Sequence, residues 1–440
     1  MNISQLERET VKKVSLRLIP FLFLCFAVAT LDRVNIGFAA LKMNQELGFS
    51  SAVYGLGAGI FFIGYFIMEI PGSAIMTKMG AKAWISRIMI SWGIIASLMA
   101  FVSTPLQFYA ARFFLGVAEA SFFPCIAWYL SSFYQTKNHA KAIAGFMMAM
   151  PIASAVGAPI STYILNITFV GWSSWRWLFI IEAIPAIILG IIAIFYLTNK
   201  IEDANWLNEE ERKWLIDVTT KEKLKKQEQK PYTFMQAMGD HDVLKLAAAY
   251  FTWVCGYYGL VMFLPILVKK LSTTMSVITV GWVVGLMYLI ATISMFLVSR
   301  HSDKTNERRH HVAVCLIIAA VGLICSIYFA NVNVILTIII YTISLSGVFG
   351  AFSPFWSIPP SFLSGVAAAS AIALVNSIGN LGGFVGPYVM GFVTTTTGSS
   401  KAGIWFLAIS MIASACIVTF LLKQTGKAQH VNSKENINMN

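Results

Sequence analysis

Four charged residues lie inside apolar segments of this chain, and they are the residues best placed to do chemistry. Asp32 is adjacent to Arg33, and Arg112 lies seven residues before Glu119. An Arg or Asp at the centre of a membrane-spanning helix costs ~2.5–3.5 kcal/mol, so four such groups cost roughly 10–14 kcal/mol before any pairing. A purely structural helix would carry Leu there. Two internal ion pairs that join helices are the structural alternative.

The spacing of these residues suggests a role for each. Arg112 and Glu119 lie two turns apart on one helix face, about 10 Å along its axis, whereas Asp32 and Arg33 point about 100° apart. A buried carboxyl gains or loses its proton when a neighbouring Arg moves, so Asp32 and Glu119 are candidate proton sites. Arg33 and Arg112 stay charged and can bind a carboxylate with two hydrogen bonds, which makes them candidate substrate anchors.

Several uncharged polar residues lie in apolar segments as well. Tyr65 is a candidate substrate ligand one turn from Glu69, for which a gate or a loop contact is the favoured role. Asn376 and Asn380 share a helix face and either bind substrate or join helices. Trp356 either stacks on the substrate or packs in the protein.

Composition places the chain in the membrane. It has 440 residues, of which 57% are hydrophobic and 12% charged, and its mean hydropathy is +0.71; soluble domains average roughly 25% charged residues. Apolar runs near the ~20 residues needed to span the hydrocarbon core predict an all-α protein of twelve transmembrane helices. They cover 17–42, 53–77, 83–102, 105–133, 140–167, 176–197, 245–268, 276–299, 311–330, 333–358, 362–393 and 402–422.

Lys and Arg predict the orientation, because cytoplasmic loops are enriched in them. When successive loops are assigned to alternate sides, 25 of the 32 Lys and Arg fall on the side that holds both termini. Both termini are therefore expected in the cytoplasm. The net charge of +12 then reflects topology and contact with anionic lipid headgroups, and nucleic acid is not an expected partner.

A polar segment divides the chain into two sets of six spans. We predict an N-terminal six-helix half at 1–197, a cytoplasmic linker at 198–244, a C-terminal six-helix half at 245–423 and a cytoplasmic tail at 424–440. The linker is expected to be exposed and helical. A six-plus-six plan around a cavity at the midplane is typical of transporters.

The sequence carries no motif for a cofactor, a metal or an enzyme. The six cysteines lie in apolar spans without a C-x-x-C pair or a nearby His, so free thiols are expected. No phosphate-binding Gly loop and no nucleophile–base pair is evident. We therefore expect no cofactor, no metal and no enzymatic activity.

Longer motifs resemble those of the major facilitator superfamily, and within it the anion:cation symporter family of tartrate, phthalate, 4-hydroxyphenylacetate and sugar-acid permeases. The motifs cover nearly the whole chain. They are Leu31-Asp32-Arg33-Val34-Asn35-Ile36-Gly37-Phe38-Ala39 in span 1, Arg112 to Pro124 in span 4, Trp175 to Glu182 in span 6, Pro354-Phe355-Trp356 in span 10 and Ala371 to Pro387 in span 11. The resemblance implies the same division of roles between acids and bases.

The expected function is secondary active transport, specifically proton-coupled import of a small organic carboxylate by alternating access. A tartrate-like acid, an aromatic acid or a sugar acid would fit. The expected partners are this anion, protons and the lipid bilayer, with Na+ as the other possible ion, and the expected form is a monomer in a bacterial inner membrane. An exporter of a drug or anionic metabolite and a non-transporting membrane sensor are the alternatives.

Overall fold

In a computed structural model of the chain, the protein is all-helical. The structure describes residues 3–167, 169, 171–227, 236, 239–359 and 365–421, so the predicted tail at 424–440 and part of the predicted linker lie outside the described residues. The helices that form the first six spans are Ile3–Leu47, Ser51–Met79, Ala81–Leu98, Pro105–Glu119 with Phe122–Phe133, Thr136–Met147 with Ala149–Ile164, and Ser174–Tyr196.

The linker and the last six spans follow the same pattern. Their helices are Glu209–Gln227 in the linker, then His241–Lys270, Val277–Thr305, Arg309–Phe329, Val334–Gly350 with Phe352–Trp356, Gly365–Asn380 with Gly382–Thr397, and Lys401–Cys416. A 3-10 turn, Met99–Phe101, extends span 3, and a π-helical segment, Ile417–Leu421, extends span 12.

Eleven of the predicted spans are recovered as segments long and apolar enough to cross a membrane. Span 11 differs because it consists of two 16-residue helices that meet at Leu381, and each is shorter than the ~20 residues a spanning helix needs. Together the two helices run from 365 to 397, which is long enough to cross. The predicted twelve-helix fold is confirmed, and residues 362–364 of the predicted span lie outside the described part.

Polar residues at helix starts set the boundaries of several spans. The Thr104 side chain accepts from the Gln107 backbone N–H at 3.3 Å, and the Gln107 side chain accepts from the Thr104 N–H at 3.2 Å. This reciprocal capping starts span 4, with Pro105 at the first helical position. Such caps satisfy N–H groups that would otherwise lack partners at the membrane edge.

The linker packs one side against the first six spans and exposes its other side. The Lys13 ammonium pairs with buried Glu211 at 2.6 Å, and the Trp206 ring stacks on Phe133 with ring centroids 6.2 Å apart. Leu215 is also buried. A helix over 209–227 is confirmed, but the linker is amphipathic, and its apolar side covers the end of the bundle.

We call the end of the bundle that carries Lys13 and Glu211 the linker end, and the other end the distal end. At the distal end the two halves are in direct contact, because span 2 packs against spans 7 and 11. The Tyr54 hydroxyl donates to the Met262 carbonyl at 2.6 Å, and a Cβ on Gly55 would collide with the Pro387 carbonyl. This close approach closes the distal end, as small residues at helix interfaces allow.

Candidate substrate and proton site

Span 1 directs its two central charges to different neighbours. The Arg33 guanidinium forms an ion pair with Glu119 of span 4 and donates to the Tyr258 hydroxyl of span 7 at 3.2 Å. Its Cζ atom lies 5.5 Å from the Phe61 ring centroid and 5.6 Å from that of Tyr65. The Arg33 side chain is 22% exposed whereas that of Glu119 is 1% exposed, so Arg33 is the accessible partner of this ion pair.

Asp32 points away from Glu119 and Tyr258, towards span 3 within the first six spans. One carboxylate oxygen accepts from the Trp92 indole N–H at 2.5 Å, and the other accepts from the Asn35 amide at 3.2 Å. The side chain is only 2% exposed. The roughly 100° between successive helical residues therefore separates Asp32 from Arg33 as the sequence suggested.

Arg112 is fully buried and binds the backbone of span 2. Its Nε donates to the Gly57 carbonyl and one terminal nitrogen donates to the Ala58 carbonyl, both at 3.3 Å. Its other terminal nitrogen has no hydrogen-bond partner among the residues described, and Asp32 is the carboxylate that acts on it most strongly. The sequence grouped Arg112 with Glu119, whereas the structure pairs Glu119 with Arg33 and sets Arg112 near Asp32.

A break in span 4 holds Glu119 in place. The first helix of the span ends at Glu119, and Ser121 adopts a left-handed conformation with φ of 66°. Span 3 supports the break because the Trp84 indole donates to the Ser121 hydroxyl at 2.9 Å and Arg87 donates to the Ala118 carbonyl at 3.4 Å. These contacts satisfy backbone and side-chain groups that a helix end leaves without partners.

Tyr65 and Glu69 occupy successive turns of span 2 on the side facing the other half. Tyr65 is buried below the Arg33 guanidinium. The Glu69 carboxylate accepts from the Asn376 amide at 3.0 Å and from the Ser377 hydroxyl at 3.1 Å. This hydrogen-bonded contact joins the two halves, and the gate role of Glu69 stays a prediction.

The three residues predicted in the second half lie in different environments. Asn376 is bound to Glu69, and Asn380, one turn along, is partly buried without a hydrogen bond to a described residue. Trp356 packs edge-on against Tyr250, with ring centroids 4.9 Å apart, and also contacts Phe355. The packing role of Trp356 is therefore visible, and its contact with substrate stays a prediction.

Span 7 supplies residues that sequence reasoning missed. Tyr258 binds Arg33, and Tyr257 and Tyr250 belong to the same aromatic cluster with Phe352 and Phe355. The adjacent tyrosines 257 and 258 in an apolar span were the available signal. A neutral phenol costs little free energy in a membrane, so these tyrosines do not stand out in the sequence as a buried charge does.

In the described ranges, no three His, Cys, Asp or Glu side chains come together as a metal site, and the six cysteines are free.

Comparisons with known proteins extend these observations. A family model described as Major Facilitator Superfamily matches residues 22–387 and 272–437. The chain is 45% identical over 423 residues to a protein of Agrobacterium vitis named "Putative tartrate transporter", with 96% of each chain covered. It is 34% identical to the inner membrane transport protein RhmT of Escherichia coli, covering 94% of this chain and 96% of that one. It is 32% identical to a quinolone resistance transporter of Acinetobacter baumannii, covering 97% and 98%.

Solved structures share the fold at low sequence identity. A D-xylose-proton symporter aligns with a TM-score of 0.74 at 12% identity, over 94% of this chain and 99% of that one. A bacterial homologue of the lysosomal transporter Spinster, in an inward-facing conformation, aligns with a TM-score of 0.71 at 15% identity, over 92% and 94%. With a family match over most of its length, the chain belongs to the Major Facilitator Superfamily and is a membrane transporter rather than an enzyme.

Proposed function

We propose that this transporter imports a small organic carboxylate together with protons across a bacterial inner membrane, working as a monomer. Arg33 binds the substrate carboxylate, and Glu119 and Asp32 carry protons. The linker end, which holds most Lys and Arg, is the cytoplasmic end. Tartrate-like acids are the first class to test, because the chain shares 45% of its residues with the A. vitis protein.

The observation that carries this proposal is the ion pair between partly exposed Arg33 and buried Glu119. Arg33 is partly exposed, so an incoming carboxylate can reach its guanidinium, whereas Glu119 is not. The substrate carboxylate and the Glu119 carboxylate would bind the same planar guanidinium of Arg33, because Arg binds carboxylates with two parallel hydrogen bonds. Substrate and Glu119 therefore compete for Arg33.

Protonation decides this competition. When Glu119 takes up a proton it loses its charge and releases Arg33, which then binds the substrate carboxylate. When Glu119 loses the proton it recovers Arg33 and displaces the substrate. In this cycle, Arg33 paired with Glu119, as in this structure, corresponds to the carrier without substrate.

The membrane potential explains why a second proton site is needed. Moving one charge through 100 mV is worth ~2.3 kcal/mol, and an inside-negative potential opposes the entry of an anion. Co-transport of one proton with a monoanion moves no net charge. Co-transport of a second proton moves one positive charge inward, which the membrane potential drives. Asp32, buried near Arg112 and hydrogen-bonded to Trp92, is the second site.

The remaining predicted residues have supporting roles in this proposal. Arg112 stabilises the negative charge of the Asp32 carboxylate. It is also the second candidate anchor for the substrate. Tyr65 supports Arg33 from span 2. Trp356, Asn376 and Asn380 shape the opposite wall and select among carboxylates.

A thermal-shift screen of the purified protein against tartrate, aromatic acids and sugar acids selects the substrate. Uptake and counterflow in proteoliposomes then test the mechanism with Glu119→Gln. The amide mimics the protonated acid, so we expect loss of accumulation driven by a pH gradient with counterflow retained. Glu210→Gln, on the exposed side of the linker, is the control. Normal pH-driven accumulation in Glu119→Gln would show that Glu119 is not part of the proton pathway. Equal uptake by the wild-type protein with a Na+ gradient alone would show that Na+ is the coupling ion instead of the proton.

Export is the second candidate function, supported by the 32% identity with the quinolone resistance transporter. The same Arg33 would then bind an outgoing anion. Everted membrane vesicles separate the two directions, because a proton-driven exporter accumulates solute in them when their interior is acidified, whereas a symporter does not.

A further inference from the structure

Glu182 of span 6 is a buried acid that the cycle above does not use. It is 6% exposed and lies within a membrane-spanning segment. One of its carboxyl oxygens accepts from the Ser161 hydroxyl of span 5 at 2.6 Å. Its other oxygen, Oε2, has no hydrogen-bond partner among the described residues.

Asn35 places Glu182 next to Asp32. The Asn35 amide donates to Asp32 at 3.2 Å, and it also approaches Glu182, although no hydrogen bond of standard length joins them. Asn35 is fully buried. The two carboxyl groups thus lie near one amide, in a layer between spans 1, 5 and 6.

The charges around this layer do not balance if both acids are ionised. Arg33 is paired with Glu119, and Arg112 acts chiefly on Asp32. The cations nearest the distal part of span 6 are bound elsewhere. Lys42 donates to the Leu165 carbonyl at 2.5 Å and to Ser174 at 3.2 Å, and Arg176 pairs with Glu46 at 3.8 Å.

The other helices packed against span 6 supply no closer cation. The described helix Ala149–Ile164 of span 5 contains no Lys, Arg, Asp or Glu. In span 3 the basic residues are Lys82 and Arg87, and Arg87 donates to the Ala118 carbonyl of span 4. Burying a carboxylate without a counter-charge carries a large free-energy cost. This site therefore requires a cation. A proton fits, because the Glu182 carboxyl group has one oxygen without a hydrogen bond to a described residue.

We propose that Glu182 is a third intramembrane proton site, coupled to Asp32 through Asn35, and that it carries the proton of this pair in the conformation seen here. The coupling to transport rests on the proposed proton symport, whereas the protonation itself does not. Asp32 accepts two N–H donors and has Arg112 nearby, so it is the ionised member. Glu182 exchanges its proton when rearrangement of span 1 separates Asp32 from Arg112.

Infrared difference spectroscopy between acid and alkaline pH, without substrate, tests the protonation. The wild-type protein should show the C=O band of a protonated carboxylic acid that disappears at alkaline pH. Glu182→Gln should lack this band, and Glu46→Gln, which changes a carboxylate at the distal end that receives the Trp175 N–H, should retain it. An unchanged band in Glu182→Gln overturns the proposal, whichever ion drives transport.

Reversal potentials in proteoliposomes test the coupling, with tartrate as the probe or the acid that the thermal-shift screen selects. Glu182→Gln should move one proton fewer per substrate and keep counterflow. Wild-type stoichiometry in this variant overturns the coupling, whereas a wild-type protein that moves no protons refutes the symport mechanism and leaves the infrared result standing.

If Glu182→Gln fails to fold, Ser161→Ala provides the test. This change removes the O–H donor that stabilises the ionised carboxylate and keeps the acid. The pH at which the infrared band disappears should rise, and an unshifted band overturns the assignment to Glu182.

Discussion

The first six spans and the last six contribute different side chains to the surroundings of Arg33. Spans 1 and 4 supply the Arg33–Glu119 ion pair, while span 7 supplies Tyr258 and the aromatic cluster around Tyr257 and Tyr250. An ionisable group in the membrane interior needs partners held by helix packing, whereas aromatic rings contact solutes of varied shape through their faces and edges. We infer that coupling resides in the first half and substrate selection in the second.

The most severe test of this division is Asp32→Asn. Asparagine keeps the size of the side chain and cannot release a proton, so we expect accumulation driven by a pH gradient to be lost while counterflow continues. Uptake and counterflow in proteoliposomes measure both. Unchanged accumulation in both Asp32→Asn and Glu119→Gln would restore the alternative in which these charges only join helices.

Arg33→Lys is expected to have the next largest effect. A lysine keeps the charge but cannot form the planar two-donor contact, and the loss of one charge-assisted hydrogen bond, ~1.5–3 kcal/mol, weakens substrate binding about 10- to 100-fold. Titration of the purified variant with the acid found by the thermal-shift screen gives the change. Near wild-type affinity would show that Arg33 is not the anchor.

Arg112→Lys refines this prediction. If Arg112 is a second substrate anchor, Arg112→Lys should also weaken substrate binding. However, Arg112 is fully buried and donates to the Gly57 and Ala58 carbonyls. If Arg112→Lys alters pH dependence and leaves affinity unchanged, Arg112 serves Asp32 and not the substrate.

A smaller effect is expected from Tyr258→Phe, which removes only the hydroxyl that Arg33 contacts. A hydrogen bond contributes ~0.5–1.5 kcal/mol, so substrate affinity should fall about 2- to 10-fold. The pH dependence of uptake should remain, because the proton sites lie in the other half. A changed pH profile with unchanged affinity would show that both halves share the proton pathway.

Trp356→Phe should change which carboxylates are preferred rather than how fast the best one is taken up. The smaller ring leaves space beside Tyr250, against which Trp356 packs. Competition assays with a panel of acids measure the rank order, with Asn376→Ser as a second variant. Loss of pH dependence with an unchanged rank order would contradict the division of roles.

The smallest effect is predicted in the loop between spans 8 and 9. Burial alone raises the pKa of Glu307, but the His310 backbone N–H and the side chains of His311 and His310 donate to the carboxylate and lower its pKa to about 2. Stability from this depressed pKa is present above the ordinary value of 4.5 and is lost as pH falls towards 2. Glu307→Gln should therefore lower the thermal unfolding midpoint at pH 6 by the equivalent of ~1 kcal/mol or less, with the difference shrinking at pH 3. An equal difference at both pH values would exclude the carboxylate as the cause.

Much of the fold followed from the sequence because the signals are local. The length and hydropathy of each apolar run depend on neighbouring residues alone, and span 11 was found as one crossing although Leu381 divides it into two helices. The linker was predicted correctly as helical, but the burial of one of its sides was not predicted, because burial of Leu215 and Glu211 depends on how span 1 and span 4 are placed beneath it.

The candidate site was only partly predictable. Asp32, Arg33, Arg112 and Glu119 stood out because a charge in an apolar run is costly wherever it lies in the fold. The contact of Glu69 with Asn376 and Ser377 joins residues more than 300 positions apart, and no local pattern signals it.

The sequence by itself determined a twelve-span membrane protein with Asp32, Arg33, Arg112 and Glu119 inside its spans, since hydropathy and charge are properties of each segment. Only the tertiary structure decided which acid meets which base. The rotation of each helix about its axis and the crossing of spans 1, 4 and 7 pair Glu119 with Arg33 and place the Tyr258 hydroxyl against Arg33. The same packing brings Glu182 close to Asp32. Such pairings depend on distances of a few ångströms between helices, which spacing along one chain does not specify.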